Sequence, residues 1–192
     1  MAIKQSIWTS DGKKLEIGEK KIKRKLISIT LALVLCLGLT VPALASSTGT
    51  ANSPAGVEAG SGHAGLIDAN GSLWMWGNNN NGQLGNGSTE DSIVPIKVMD
   101  NVVLVSCGGK HTAAIKTDGS LWMWGGNYDG QLGNGSTENS TVPIKVLDNV
   151  VSVSCGGSSV TSGFTAAVKT DGSLWMWGSN QYGQLGNGIP KD

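Results

Sequence analysis

Residues 118–125 read Asp118-Gly-Ser-Leu-Trp-Met-Trp-Gly125, and Gln131-Leu-Gly-Asn-Gly135 follows shortly after. Both stretches occur three times. Leu-Trp-Met-Trp-Gly stands at 73–77, 121–125 and 174–178, and Gln-Leu-Gly-Asn-Gly at 83–87, 131–135 and 184–188. The copies are offset by 48 and then 53 residues, and the extra five fall in Ser158–Phe164. Aligning Ser72–Gly109 with Ser120–Gly157 gives 31 identities in 38 positions. Such self-similarity at a fixed period marks a chain assembled from one duplicated unit of about fifty residues.

Each unit reads as four short strands. Val102–Cys107 is rich in β-branched residues and His111–Lys116 follows it. Asp118-Gly119 is expected to supply the positive-φ pair of a two-residue hairpin turn, as are Asn70-Gly71 and Asp171-Gly172 in the other copies. Leu121–Trp124 is the third strand, Asn127–Gly135 a glycine-punctuated loop, and Pro143–Leu147 a fourth strand whose proline suits a sheet edge. Alternation along the third strand puts Trp74 and Trp76 on one face and Leu73 and Met75 on the other. Neither face is polar. A four-stranded antiparallel sheet with two apolar faces must be covered on both sides, and radial stacking of such sheets does so. No helical periodicity is visible after residue 45. The expected fold class is all-β, with propeller blades of four antiparallel strands.

Three pieces carry a resemblance: Ser106-Cys-Gly-Gly-Lys-His-Thr112, Asp118–Gly125 and Gly130-Gln-Leu-Gly-Asn-Gly135. In these the chain resembles the regulator of chromosome condensation repeat family, over nearly all of residues 57–192. The resemblance implies blades of a propeller whose ring in that family has seven. The structural signature would be His63, His111, Trp76, Trp124, Trp177, Gly77, Gly125 and Gly178. The chain departs from the family in having three repeats, an incomplete ring. Ala59 replaces Cys107 and Cys155, and Phe164-Thr165 stands where His63-Ala64 and His111-Thr112 stand. The sequence ends at Asp192, without a third Val-Pro-Ile-Lys-Val strand. The expectation is a truncated product, a gene fragment, or a subunit that completes its ring by self-association, because open rings leave free strand edges and apolar faces.

The first 45 residues read as an N-terminal extension and address. Lys20–Lys25 is a positive segment, Leu26–Leu39 an apolar run of fourteen residues, and Pro42-Ala-Leu-Ala45 places small residues before a cleavage point. This is the layout of a secretory signal peptide cleaved after Ala45, and the run is short of the roughly twenty residues that a spanning helix needs. Contact with the membrane would be transient, through the signal peptide. Residues 1–19 are unusually polar for such a leader, and translation is expected to begin downstream of Met1. Residues 46–56 read as a linker. A secreted or cell-surface location follows.

Charge and candidate chemistry narrow the function. Residues 46–192 carry a net charge of −5, which disfavours nucleic acid as a partner and, with it, the chromatin-linked nucleotide-exchange activity of the family's namesake. His63 and His111 are the only histidines, without an acidic or cysteine cluster at metal-ligand spacing, so they are expected as buried framework groups. Cys107 and Cys155 occupy equivalent places and are expected as free buried thiols, although export would permit a disulfide. The six repeat tryptophans lie mid-strand and are expected in the core. No nucleophile–base set, phosphate-binding loop or dinucleotide fingerprint is visible, so no catalytic residue, metal or cofactor is expected and the protein is read as no enzyme. Tyr128, Tyr182, Asn79 and Asn80, in the loops, are the expected contacts for an extracellular or cell-surface protein partner. Carbohydrate binding through exposed aromatics is the alternative.

Overall fold

The computed structural model describes residues 6–8, 14–16, 56–158 and 162–188. The expected signal peptide and linker lie outside the described residues. Two short strands near the start, β1 (Ser6–Trp8) and β2 (Lys14–Glu16), pair antiparallel.

The repeats form three antiparallel sheets. The first holds β3 (Gly56–Ala59), β4 (His63–Ile67), β5 (Leu73–Gly77) and β6 (Ser92–Met99) in chain order. The second holds β7 (Val102–Cys107), β8 (His111–Lys116), β9 (Leu121–Gly125) and β10 (Ser140–Leu147). The third holds β11 (Val150–Gly156), β12 (Phe164–Lys169) and β13 (Leu174–Gly178). No helix occurs among the described residues. These are propeller blades: each is a meander, so every strand neighbours the next in sequence.

The hairpin between the second and third strands differs from the expected two-residue turn. The Gly119 amide donates to the Lys116 carbonyl at 2.9 Å, and the Lys116 amide donates to the Ser120 carbonyl at 3.0 Å. Three residues, Thr117-Asp118-Gly119, therefore form the loop. Only Gly119 (φ 76°) has positive φ, and Asp118 does not. This is the hydrogen-bonded turn closed by a left-handed glycine, the commonest three-residue hairpin. Asp118 contributes through its side chain instead, accepting from the Ser120 amide at 2.9 Å.

The outermost strands begin earlier than the sequence suggests, at Ser92 and Ser140. The ladder is irregular between Ser140↔Gly125 and Ile144↔Met123, and Pro143, which has no N–H to give, falls inside that gap. The Asp100-Asn101 and Asp148-Asn149 pairs carry the chain from one blade to the next, with Asn101 (φ 62°) and Asn149 (φ 61°) left-handed. Asn tolerates that conformation better than other side chains do.

The core lies between blades rather than within one. Ile67, Leu73, Met75 and Leu84 of the first blade pack with Val102, Val105, Cys107, Ala114 and Trp124 of the second. Ala113, Ile115, Leu121, Met123 and Leu132 of the second pack with Val150, Val153 and Ala167 of the third. Each middle strand thus presents a trailing face to the following blade and a leading face to the preceding one. Full burial of a Leu or Met side chain stabilises by about 1.5–3 kcal/mol, so these two junctions dominate the stability of the repeats. Cys107 and Cys155 sit at them as free thiols, and burial pushes both up to about 12.

The six tryptophans are not uniformly core. Trp124 is 0% exposed, whereas Trp74, Trp76, Trp122 and Trp177 are half-buried and Trp175 is 47% exposed. Mid-strand alternation fixes the face on which an indole lies, and the neighbouring blade fixes how much of it is covered.

Candidate functional site

The loop after the third strand is built around one amide. Asn127 is fully buried. Its Nδ2 donates to Asn134 Oδ1 (3.1 Å) and to the carbonyls of Ser136 (2.9 Å) and Glu138 (3.0 Å). Its Oδ1 accepts from the Leu132 amide at 2.9 Å. Asn79 repeats the arrangement in the first blade with Asn86, Ser88, Glu90 and Leu84, and is also 0% exposed. The expectation that Asn79 contacts a partner is therefore corrected: its side chain is consumed inside the loop, because buried backbone groups there need it.

The same loop locks neighbouring blades together. The Gln83 backbone carbonyl accepts from Thr112 Oγ1 (2.8 Å) and Trp124 Nε1 (2.9 Å) of the next blade. The Gln131 carbonyl accepts from Thr165 Oγ1 (2.9 Å) and Trp177 Nε1 (2.8 Å). Behind each threonine stands a histidine: His63 Nε2 lies 2.8 Å from Thr112 Oγ1, and His111 Nε2 lies 3.1 Å from Thr165 Oγ1. Each hydroxyl proton goes to a carbonyl, so each imidazole donates through Nε2. Burial pushes both imidazoles down to about 4. Gly85 completes the seat: a Cβ there would lie 2.7 Å from Trp124 Nε1. The signature residues Gly77, Gly125 and Gly178 have φ near 100°, where a Cβ would strike the backbone of the hairpin beside it. The histidines and repeated tryptophans are thus placed in the frame that joins blades.

What remains on the rim is variable. Over the aligned stretches Ser72–Gly109 and Ser120–Gly157 the copies differ at only seven positions, and three of these, Asn78/Gly126, Asn80/Tyr128 and Asn81/Asp129, fall in this loop. A fourth, Asp91/Asn139, accepts from the backbone amide of Asn79 (2.7 Å) or Asn127 (2.8 Å). In the third unit the corresponding loop residues are Ser179, Gln181 and Tyr182. The amides of Asn81, Asp129 and Tyr182 each donate to the Oε1 of the following glutamine at 2.9 Å, which fixes the register. Tyr128 and Tyr182 therefore occupy adjacent rather than equivalent positions, in agreement with the 53-residue offset of the copies. Tyr128 is 55% and Tyr182 88% exposed, and Asn80 is exposed too. Tyr128 borders a shallow polar depression of about 320 Å³ with Thr137, Glu138 and Asn139. Among the described residues no cluster of His, Cys, Asp and Glu could hold a metal ion.

Two family models, both described as the regulator of chromosome condensation (RCC1) repeat, match the chain. One matches residues 70–115 and 118–162, the other residues 55–83, 102–131 and 150–184, and together they run from 55 to 184. No curated protein sequence matches. Among solved structures, human WBSCR16 is similar at 26% identity and TM-score 0.57, over 65% of this chain and 33% of that one. Prp20p of Saccharomyces cerevisiae is similar in fold at 24% identity and TM-score 0.62, over 71% of this chain and 36% of its own. Yeast RCC1 (Prp20) bound by Kap60 gives 23% identity and TM-score 0.60, over 71% and 35%. The chain spans about a third of the length of each. The chain belongs to the regulator of chromosome condensation repeat family.

Proposed function

We propose that this chain is a secreted, non-catalytic module that binds an extracellular or cell-surface protein through the rim carrying Asn80, Tyr128, Asp129, Gln181 and Tyr182. The observation that carries this reading is the placement of sequence change. Around a buried Asn79 or Asn127 amide and a Gln-Leu-Gly-Asn-Gly frame common to both units, exposed Asn80 becomes exposed Tyr128 and exposed Asp91 becomes exposed Asn139. Rigid frames with divergent loops are how binding surfaces are commonly built, and exposed Tyr supplies large contact area at small entropic cost. The test is capture from envelope and medium fractions by the full chain, compared with Tyr128→Ala/Tyr182→Ala. The expected result is a discrete protein partner that the double variant loses at least tenfold, with unchanged circular dichroism. Equal capture by both proteins, or none by either, would overturn the proposal.

Carbohydrate binding is the second reading, supported by the exposure of three aromatic side chains, Trp175, Tyr128 and Tyr182. It requires indole fluorescence to change on titration with wall polysaccharides. A flat response removes it.

A further inference from the structure

The junction between blades has two unlike sides, and the repeats leave one of each uncovered. On the trailing side, Leu73 and Leu121 are 0% exposed, but the equivalent Leu174 of the third blade is 63% exposed. A Cβ on Gly85 or Gly133 would meet the next blade's indole at 2.7 or 2.6 Å, whereas the equivalent Gly186 has nothing within 4 Å. The third blade thus carries an empty tryptophan seat. On the leading side, Trp124 and Trp177 give their indole N–H to a Gln carbonyl, but the equivalent Trp76 of the first blade makes no such bond among the described residues. Beside it Leu66 is 37% and Val57 69% exposed. The first blade carries a tryptophan without a seat.

A second observation links these two faces to each other. At both internal junctions a histidine on the trailing side donates to a threonine on the leading side. At the uncovered trailing face the histidine is replaced by Phe164, and at the uncovered leading face the threonine is replaced by Ala64. Both partners of the polar pair are apolar at once. Replacing both partners of a buried hydrogen bond is close to neutral, whereas replacing one leaves a buried polar group unsatisfied. That double change is coherent if Phe164 and Ala64 meet across one junction.

We infer that the trailing face of the third blade docks onto the leading face of the first blade of a second copy of this chain. Trp76 enters the seat at Gly186, and Phe164 packs on Ala64. The interface is heterologous, so it closes into a ring or extends as a filament according to the rotation per copy. This stands independently of the rim proposal.

The test uses the full chain and two variants at positions exposed in the single copy, Leu66→Arg and Leu174→Arg, measured by light scattering and sedimentation. The wild type is expected to associate with concentration, and each variant alone to remain a folded monomer. Their mixture should form a one-to-one heterodimer, because each retains the face the other has lost. An N-terminal apolar segment cannot produce that pattern, since both variants keep it. In a second series Phe164→His should weaken association at least fivefold and Phe164→His/Ala64→Thr should restore it. A wild type that stays monomeric or unfolded at every concentration overturns the inference. So does association that survives both arginines, or a mixture that stays monomeric.

Discussion

At the scale of single residues, two glycines with the same backbone conformation have different neighbours. Gly133 has φ 68° and a Cβ would lie 2.6 Å from Trp177 Nε1; Gly186 has φ 66° and open space. An L-residue in the left-handed region costs about 1–2 kcal/mol, and overpacking a filled site adds about 1–3 kcal/mol. Gly186→Ala is therefore expected to lower stability by backbone strain alone, and Gly133→Ala by strain plus the clash. Urea melts of the two variants should separate by about 1–3 kcal/mol; equal values would show that the loop does not seat the next blade's indole. The Gln-Leu-Gly-Asn-Gly motif was legible as a loop, but its role was not. Nothing within one unit tells that its carbonyl and glycine face the unit that follows. Asn79 shows the same limit: a polar run of four asparagines reads as surface, and only the geometry reveals that one of them holds the loop closed.

At the scale of strands, the four-strand unit and the bounds of its first three strands were legible because alternation, β-branching and turn glycines agree, whereas the fourth strand starts at Ser140 rather than Pro143. Two details were hidden. The turn residues Asp118-Gly119 fit a two-residue hairpin and a three-residue one equally well in sequence. The difference is made by where Lys116 and Ser120 close the ladder. The equal look of Trp122 and Trp124 in β9 was also misleading. Both lie on the leading face, yet Trp124 is fully buried with its N–H on the Gln83 carbonyl at 2.9 Å. Trp122 lies half-buried at the other end of the strand, its N–H on Ser120 Oγ (2.9 Å) and the Lys116 ammonium 5.5 Å from its ring. Trp124→Phe removes buried volume and an inter-blade hydrogen bond and should cost about 2–3 kcal/mol. Trp122→Phe loses a local hydrogen bond and a weak cation–π contact and should cost about 1 kcal/mol or less. Thermal unfolding of the two variants reads the difference, and equal losses would mean that the blade junction is not the main source of stability.

At the scale of the whole repeat array, the blade junctions give stability a pH dependence that the composition does not suggest. His63 and His111 are each held neutral by burial, with pKa pushed from 6.5 to about 4. The unfolded chain therefore binds more protons than the folded one between those values, and stability falls as pH drops through that window. It is fully present above pH 6.5, and the loss is complete below about pH 4, on the order of 3 kcal/mol for each histidine. The carboxylates Asp68, Asp100, Asp118 and Asp171 are held below 3.8 by hydrogen bonds at the turns, and they act in a lower window, where protonation removes those bonds. The two effects are thus separable on the pH axis. Denaturant midpoints should decline steadily from pH 6.5 to 4 in the wild type. In His63→Gln/His111→Gln, whose amides can still donate to Thr112 and Thr165, the midpoint should stay flat across that range and fall only below it. A double variant that keeps the wild-type slope would place the proton uptake elsewhere and would remove the histidine–threonine pairs as the acid-sensitive part of the junctions.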